Sequence, residues 1–211
     1  MAIISAIDAL VRLRDGNRRF AEDRPIEREL TAKAKRESSL TGQTPFAIIL
    51  GCSDSRVPAE IVFDQGIGDL FVIRVAGNIV APSQVGSVEF AAEQFGTRLV
   101  VVMGHSNCGA VSATLDALDS PTSTSSPNIR RIVEFVRPSV ESLAETDLKK
   151  DRAALMRHAV RSNIRASASH LRHGSSILEQ LIEKDGLLVV GAEYSLESGI
   201  VDFFDGVPEL A

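Results

Sequence analysis

An α/β domain, with a mainly parallel central β-sheet flanked by helices and an N-terminal helical arm, is predicted by three features of the sequence. Four short apolar runs, 46–50, 70–75, 99–103 and 187–190, are rich in Val, Ile and Leu and do not alternate with polar residues. Strands covered on both faces have this composition, whereas a strand with one wet face alternates. Segments of helical periodicity separate the runs, and strands alternating with helices build a parallel sheet. Finally, no internal repeat or linker divides the chain, so residues 1–211 read as a single domain with 1–42 as its arm.

Residues 2–22 place Ile3, Ile7, Leu10, Val11, Leu13 and Phe20 at mostly helical spacing. Such a helix either packs on its own core or reaches over a second subunit. The polar stretch 23–44 runs into Thr41-Gly42-Gln43-Thr44-Pro45, a turn-rich lead to the first strand. Gly66-Ile67-Gly68 lacks the third glycine of a dinucleotide loop and precedes a strand rather than a helix, so it is a turn. After the second run, Ser83–Phe95 reads as a crossover helix. After the third, Ala110–Leu118 and two stretches near 129–146 and 151–183 read as helices. Between them, 119–128 is a short Ser/Thr/Pro-rich surface loop.

The formal net charge of −5 argues against general nucleic-acid binding, which rests on a positive surface. Arg157, Arg161 and Arg165 recur at i, i+4, yet in an acidic protein a solvated face or a contact with an acidic partner subunit is the favoured reading. No apolar run approaches the ~20 residues that span a bilayer. The N-terminus lacks a basic region and meets Asp8 early, so a cytoplasmic location is expected. His158, His170 and His173 are expected on the surface.

The chemistry gathers at two strand tips. The first strand is followed by Cys52-Ser53-Asp54-Ser55-Arg56, the third by His105-Ser106-Asn107-Cys108-Gly109. Functional groups of open α/β sheets collect beyond the carboxyl ends of the strands. Two thiolates and an imidazole suit Zn²⁺, and three protein ligands leave a fourth position open, as catalytic rather than structural sites do. The bland alternative is a pair of inert core cysteines beside a hydrogen-bonded histidine. Asp54 can itself be the fourth ligand, closing the site, unless the planar fork of Arg56 holds it aside. Two thiolates load the metal with negative charge and make its water less acidic. Arg56 and the N-terminus of a helix starting near Gly109 can compensate.

The pair CSDSR at 52–56 and HSNCG at 105–109 resembles the β-class carbonic anhydrases. The likeness extends through Val57–Glu60, Phe63–Gly66, Phe71–Asn78 and Gly191–Tyr194, roughly residues 40–205. It implies zinc on Cys52, His105 and Cys108 and a dyad of Asp54 and Arg56. It also implies reversible hydration of carbon dioxide to bicarbonate and a proton by a zinc-bound hydroxide. By position, Gln43 matches a glutamine that hydrogen-bonds substrate oxygen, and Phe71 an aromatic of the carbon dioxide pocket. Phe90 stands where several members carry a tyrosine, and lacks its hydroxyl. The resemblance further implies a homodimer, or a dimer of dimers, with the pocket near the subunit boundary. Hydrolysis of CS₂ or COS by the same metal set is the nearest rival activity. A non-catalytic, zinc-stabilised scaffold is the rival from another class; the Asp54–Arg56 pair argues against it, because a structural site would use a fourth Cys or His.

Overall fold

The computed structural model describes residues 4–26, 36–37, 39–120 and 126–209. Parts of the arm (1–3, 27–35 and 38) and of the polar loop (121–125) lie outside the described residues. The strands β1 (Ala47–Gly51), β2 (Leu70–Arg74), β3 (Leu99–His105), β4 (Leu188–Tyr194) and β5 (Val201–Asp205) form one sheet in the order β2-β1-β3-β4-β5. The first four run parallel, as the unalternating runs predict. All five residues of β1 and all seven of β3 are buried, as a sheet covered on both faces requires.

Helices cover the two faces unequally. On one face lie α1 (Ala6–Ala21) and the single turn α2 (Ala59–Val62), packed on Ile49, Val101 and Met103. The other face carries α3 (Pro82–Gln94), α4 (Gly109–Asp119), α5 (Pro127–Ala144), α6 (Arg152–His173) and α7 (Ser176–Lys184), over Ile48, Leu50, Val100 and Val102. No helix among the described residues is long and apolar enough to cross a membrane.

Helix α1 lies on the chain's own core, the first of the two arrangements that its periodicity allows. Leu10 and Leu13 are fully buried. Asn17 donates to the carbonyls of Val62 and Gly199 and accepts from the N–H of Val201, which satisfies its buried amide completely. Arg19 meets buried Asp64 at 2.6 Å.

Two features depart from the sequence reading. The stretch 151–183 is two helices, because the chain breaks after His173 at Gly174 and Ser175 caps α7, its Oγ accepting from the Leu178 N–H. The apolar period runs on across the break, since Leu171 and Leu178 enter the same core. The second departure is β5, antiparallel to β4 and absent from the four apolar runs. It is an edge strand that carries Asp202 and Asp205, with only Val201 buried, so its sequence carries no long apolar signature. Arg161 pairs with Asp202 at 2.8 Å and Arg172 with Asp205 at 2.7 Å, so the basic face of α6 is largely spent on the chain's own carboxylates. His158, His170 and His173 are exposed on α6.

Candidate metal centre

The register of β1 and β3 sets Gly51 beside Met103, so Cys52 and His105 leave the same edge of the sheet within one residue of each other. After His105 the chain turns through Asn107, at φ 55, and Cys108 becomes the N-cap of α4. The Cys108 side chain makes no capping bond, which leaves its sulfur to face the strand tips. Cys52 Sγ, Cys108 Sγ and a ring nitrogen of His105 all lie within 4.8 Å of one another, and all three residues are buried. His105 Nδ1 lies 2.9 Å from the Ser106 carbonyl, a contact in which the ring N–H donates; this fixes the tautomer with Nε2 as the bare nitrogen. His105 Nε2 is buried without a hydrogen-bond partner. A lone pair held this way beside two sulfurs is what a soft or borderline cation needs, so the residues fit a metal.

The cysteines polarise one another. A hydrogen bond from the Cys108 thiol, helped by His105 and the Gly77 N–H, pulls Cys52 below the usual thiol range against the effect of burial. The same contact and burial push Cys108 up. Beside them, Asp54 Oδ1 accepts from the Arg56 N–H (3.0 Å) and Nε (2.9 Å), and Oδ2 accepts from Nη2 (2.7 Å). This two-point grip holds the Asp54 carboxyl well below the usual carboxylate range. Asp54 Oδ2 stands 3.8 Å from His105 Nε2, beyond hydrogen-bond reach. Arg56 thus keeps the carboxylate turned to itself at the rim of the ligand triangle.

Two residues that carry this geometry were not singled out in the sequence. Arg74, the last residue of β2, donates to the carbonyls of Cys52 (3.0 Å) and Asp54 (2.5 Å) and so braces the 52–56 loop from beneath. Gly77 directs its N–H at Cys52 Sγ, 3.3 Å away. Both act on or through the backbone, which a reading of side-chain chemistry passes over.

The carbonic anhydrase family profile matches residues 47–201, spanning every residue of the triangle and the dyad. The chain belongs to the β-class carbonic anhydrase family. Carbonic anhydrase 2 of Mycobacterium tuberculosis is 37% identical over 187 residues, covering 89% of this chain and 87% of that protein. Among solved structures, the β-carbonic anhydrase CcaA superposes with a TM-score of 0.75 at 26% identity, covering 93% of this chain and 95% of that one. A tetrameric β-carbonic anhydrase of Sordaria macrospora gives 0.71 at 24% identity, covering 82% and 89%, and shows the shared fold.

In this carbonic anhydrase the residues that the resemblance assigns to substrate, Gln43, Phe71 and Phe90, sit apart from the Cys52–His105–Cys108 triangle. Gln43 is exposed in the loop leading to β1, whereas Cys52 follows the other end of that strand, ~17 Å of extended chain away. Phe71 lies early in β2, beside Ile48, and is half-buried. Its ring centroid is 6.3 Å from that of Phe90 and 6.0 Å from that of Phe95, and Phe90 is 51% exposed. The structure therefore brings Cys52, Asp54, Arg56, His105 and Cys108 together, and places Phe71 and Phe90 together in an aromatic cluster near the edge of the sheet.

Glu193, next to Tyr194 at the end of β4, is a second carboxylic acid, after Asp54, perturbed among the described residues. Burial raises its carboxyl above the usual glutamate range, opposed by Arg161 at 3.2 Å. A raised folded-state pKa contributes stability that is fully present below the unfolded value of ~4.3 and is lost as pH rises through the folded one. Glu193→Gln, which keeps the shape without the charge, is expected to melt higher than wild type at pH 7. The gap should close as pH falls below ~4. Thermal melts across that range check it, and a variant that melts lower at pH 7 contradicts it.

Proposed function

We propose that this carbonic anhydrase holds Zn²⁺ on Cys52, His105 and Cys108 and catalyses the reversible hydration of carbon dioxide to bicarbonate and a proton. The observation that carries the reading is the buried, unpartnered His105 Nε2 facing two thiol sulfurs. When bound, zinc supplies an acidified water; in the three-histidine carbonic anhydrases it brings the pKa of that water to ~7.

The chain's own residues do the rest. Asp54, kept ionised through the neutral range by Arg56, offers a carboxylate oxygen that accepts a hydrogen bond from the reacting water and orients it. Because its pKa is depressed, that role persists down through the ordinary carboxylate range and fails only as pH falls through the lowered value. Arg56 prevents the same carboxylate from closing the fourth position. Gln43 steadies a substrate oxygen, and Phe71 with Phe90 supplies an apolar wall that excludes water. Since Gln43 precedes β1 and Phe71 lies near the amino end of β2, they serve the metal of the partner subunit, in a homodimer or dimer of dimers. The tetrameric Sordaria macrospora relatives agree with such an assembly. Two unpaired cysteines fit the reducing cytoplasm as the place of action.

Stopped-flow hydration of carbon dioxide by zinc-verified protein, run beside CS₂ and COS hydrolysis, tests the reading. Asp54→Ala and Arg56→Ala are expected to lower hydration ~10²–10⁴-fold, the usual range for a positioned proton-handling group, with zinc retained. Full activity in either variant removes the dyad from the mechanism. Activity on CS₂ or COS alone would make the protein a hydrolase, and activity on none of the three would make it a scaffold.

A further inference from the structure

The Gly77 N–H that meets Cys52 Sγ belongs to a backbone turn closed on itself by one hydrogen bond, from the Asn78 N–H to the Val75 carbonyl at 3.1 Å. Ala76–Asn78 is a single 3₁₀ turn in which two successive residues enter the left-handed region, Gly77 at φ 71 and Asn78 at φ 43. Non-glycine residues reach that region only at a cost, and the conformation persists where the surroundings over-determine it. A side chain at position 77 is also barred by packing, because a Cβ there would come within 2.9 Å of the Ala110 Cβ.

The over-determination comes from α6, more than eighty residues downstream. Asn163 donates its amide N–H to the Gly77 carbonyl at 2.8 Å, and Ser167 donates its hydroxyl to the Asn78 carbonyl at 2.9 Å. These two residues are one helical turn apart on the same face of α6. Both are buried, Asn163 to 2% and Ser167 to 6% exposure. Successive carbonyls of the turn are therefore clamped from one rigid element, and the N–H of the same Gly77 is left pointing at sulfur.

We propose that Asn163 and Ser167 are positioning residues for the metal centre. By clamping the carbonyls of Gly77 and Asn78 they hold the Gly77 N–H on Cys52 Sγ. That hydrogen bond orients the sulfur and draws charge from it. In a site with two thiolates this is the adjustment that keeps the metal electrophilic, and outer partners of this kind typically govern ~10–100-fold in metal affinity. The inference rests on the Cys52–His105–Cys108 reading and goes beyond it, since neither residue touches a ligand or the substrate.

The test uses the full-length protein loaded with zinc or cobalt(II). Asn163→Leu removes the amide at similar volume, Ser167→Ala removes only a hydroxyl, and Ser167→Thr restores one. Chelator competition should show zinc affinity falling ~10–100-fold in Asn163→Leu, less in Ser167→Ala, and recovering in Ser167→Thr. In the cobalt form, the thiolate-to-metal charge-transfer band should shift in the first two variants and return in the third. A purely structural role would lower the melting temperature while leaving band and affinity as in wild type, and that result overturns the proposal. If Asn163→Leu does not fold, Ser167→Ala against Ser167→Thr decides. A wild-type protein without any thiolate band would overturn the metal reading and this proposal together; a normal wild-type band with unshifted variants would overturn this proposal alone.

Discussion

Cys108→Ser is expected to lose the metal and the activity together. The substitution removes one sulfur from a pocket whose three donor atoms lie within 4.8 Å of one another, and leaves a hydroxyl that stays protonated at neutral pH. Zinc ligands must be deprotonated or neutral lone pairs, and a thiolate is far the better of the two groups here. The fold should survive, because serine is no larger than the cysteine it replaces and position 108 can still cap α4. Zinc affinity should fall by more than the ~100-fold that marks the upper end of outer-partner effects. Carbon dioxide hydration should fall with it. Metal content after dialysis, read beside stopped-flow rates, checks the pairing; a Cys108→Ser protein that keeps both zinc and full activity would remove Cys108 from the ligand set.

The same variant reports on assembly. Gln43→Ala should keep zinc and lose rate, since Gln43 is remote from its own chain's triangle. If a two-fold dimer builds each site from both chains, a heterodimer of the two variants contains one site with neither defect. Refolding them as an equal mixture should then restore about a quarter of wild-type activity, because half the dimers are mixed and each holds one good site of two. No recovery would confine each site to a single chain.

How much of this was legible beforehand divides along physical lines. The parallel strands were readable because burial on both faces leaves a continuous apolar run, as in Val100-Val101-Val102. The meeting of Cys52, His105 and Cys108, and the Asp54–Arg56 pair beside them, were readable because Cys, His, Asp and Arg carry their chemistry in the side chain, at strand tips where an α/β sheet gathers it. Edge strand β5 was not, since its carboxylates break the apolar pattern and are answered by arginines of α6, 41 and 33 residues earlier. The division of 151–183 was hidden because both halves present apolar residues to one core. Arg74, Gly77, Asn163 and Ser167 escaped for a further reason: they act through backbone carbonyls and one N–H, and only the folded chain shows which carbonyl an asparagine meets.

Gly16→Ala is expected to be the most damaging single-methyl change in the N-terminal helix, against the usual sign of such a change. Alanine in a helix interior is ordinarily better than glycine by ~0.5–1 kcal/mol, because glycine loses more chain entropy on folding. At position 16 that gain meets a contact that cannot yield. A Cβ there would lie 1.9 Å from the Phe63 carbonyl oxygen, an atom of the backbone at the end of α2. To make room, α1 must lift, and the neighbouring Asn17 then loses its bonds to Val62, Gly199 and Val201. Overpacking of this kind costs ~1–3 kcal/mol or more, which exceeds the propensity gain, so a net loss of ~2 kcal/mol is expected. For a chain of this length that lowers Tm by ~4–8 °C. Gly86, in the interior of α3 with nothing within 4 Å of its added Cβ, supplies the contrast: Gly86→Ala should raise stability by ~0.5–1 kcal/mol. Thermal and urea melts of the two variants side by side separate the packing effect from propensity. If Gly16→Ala instead matched Gly86→Ala, α1 would not be seated on its own α2, and the alternative arrangement, an arm laid over a second subunit, would be the better account of residues 6–21.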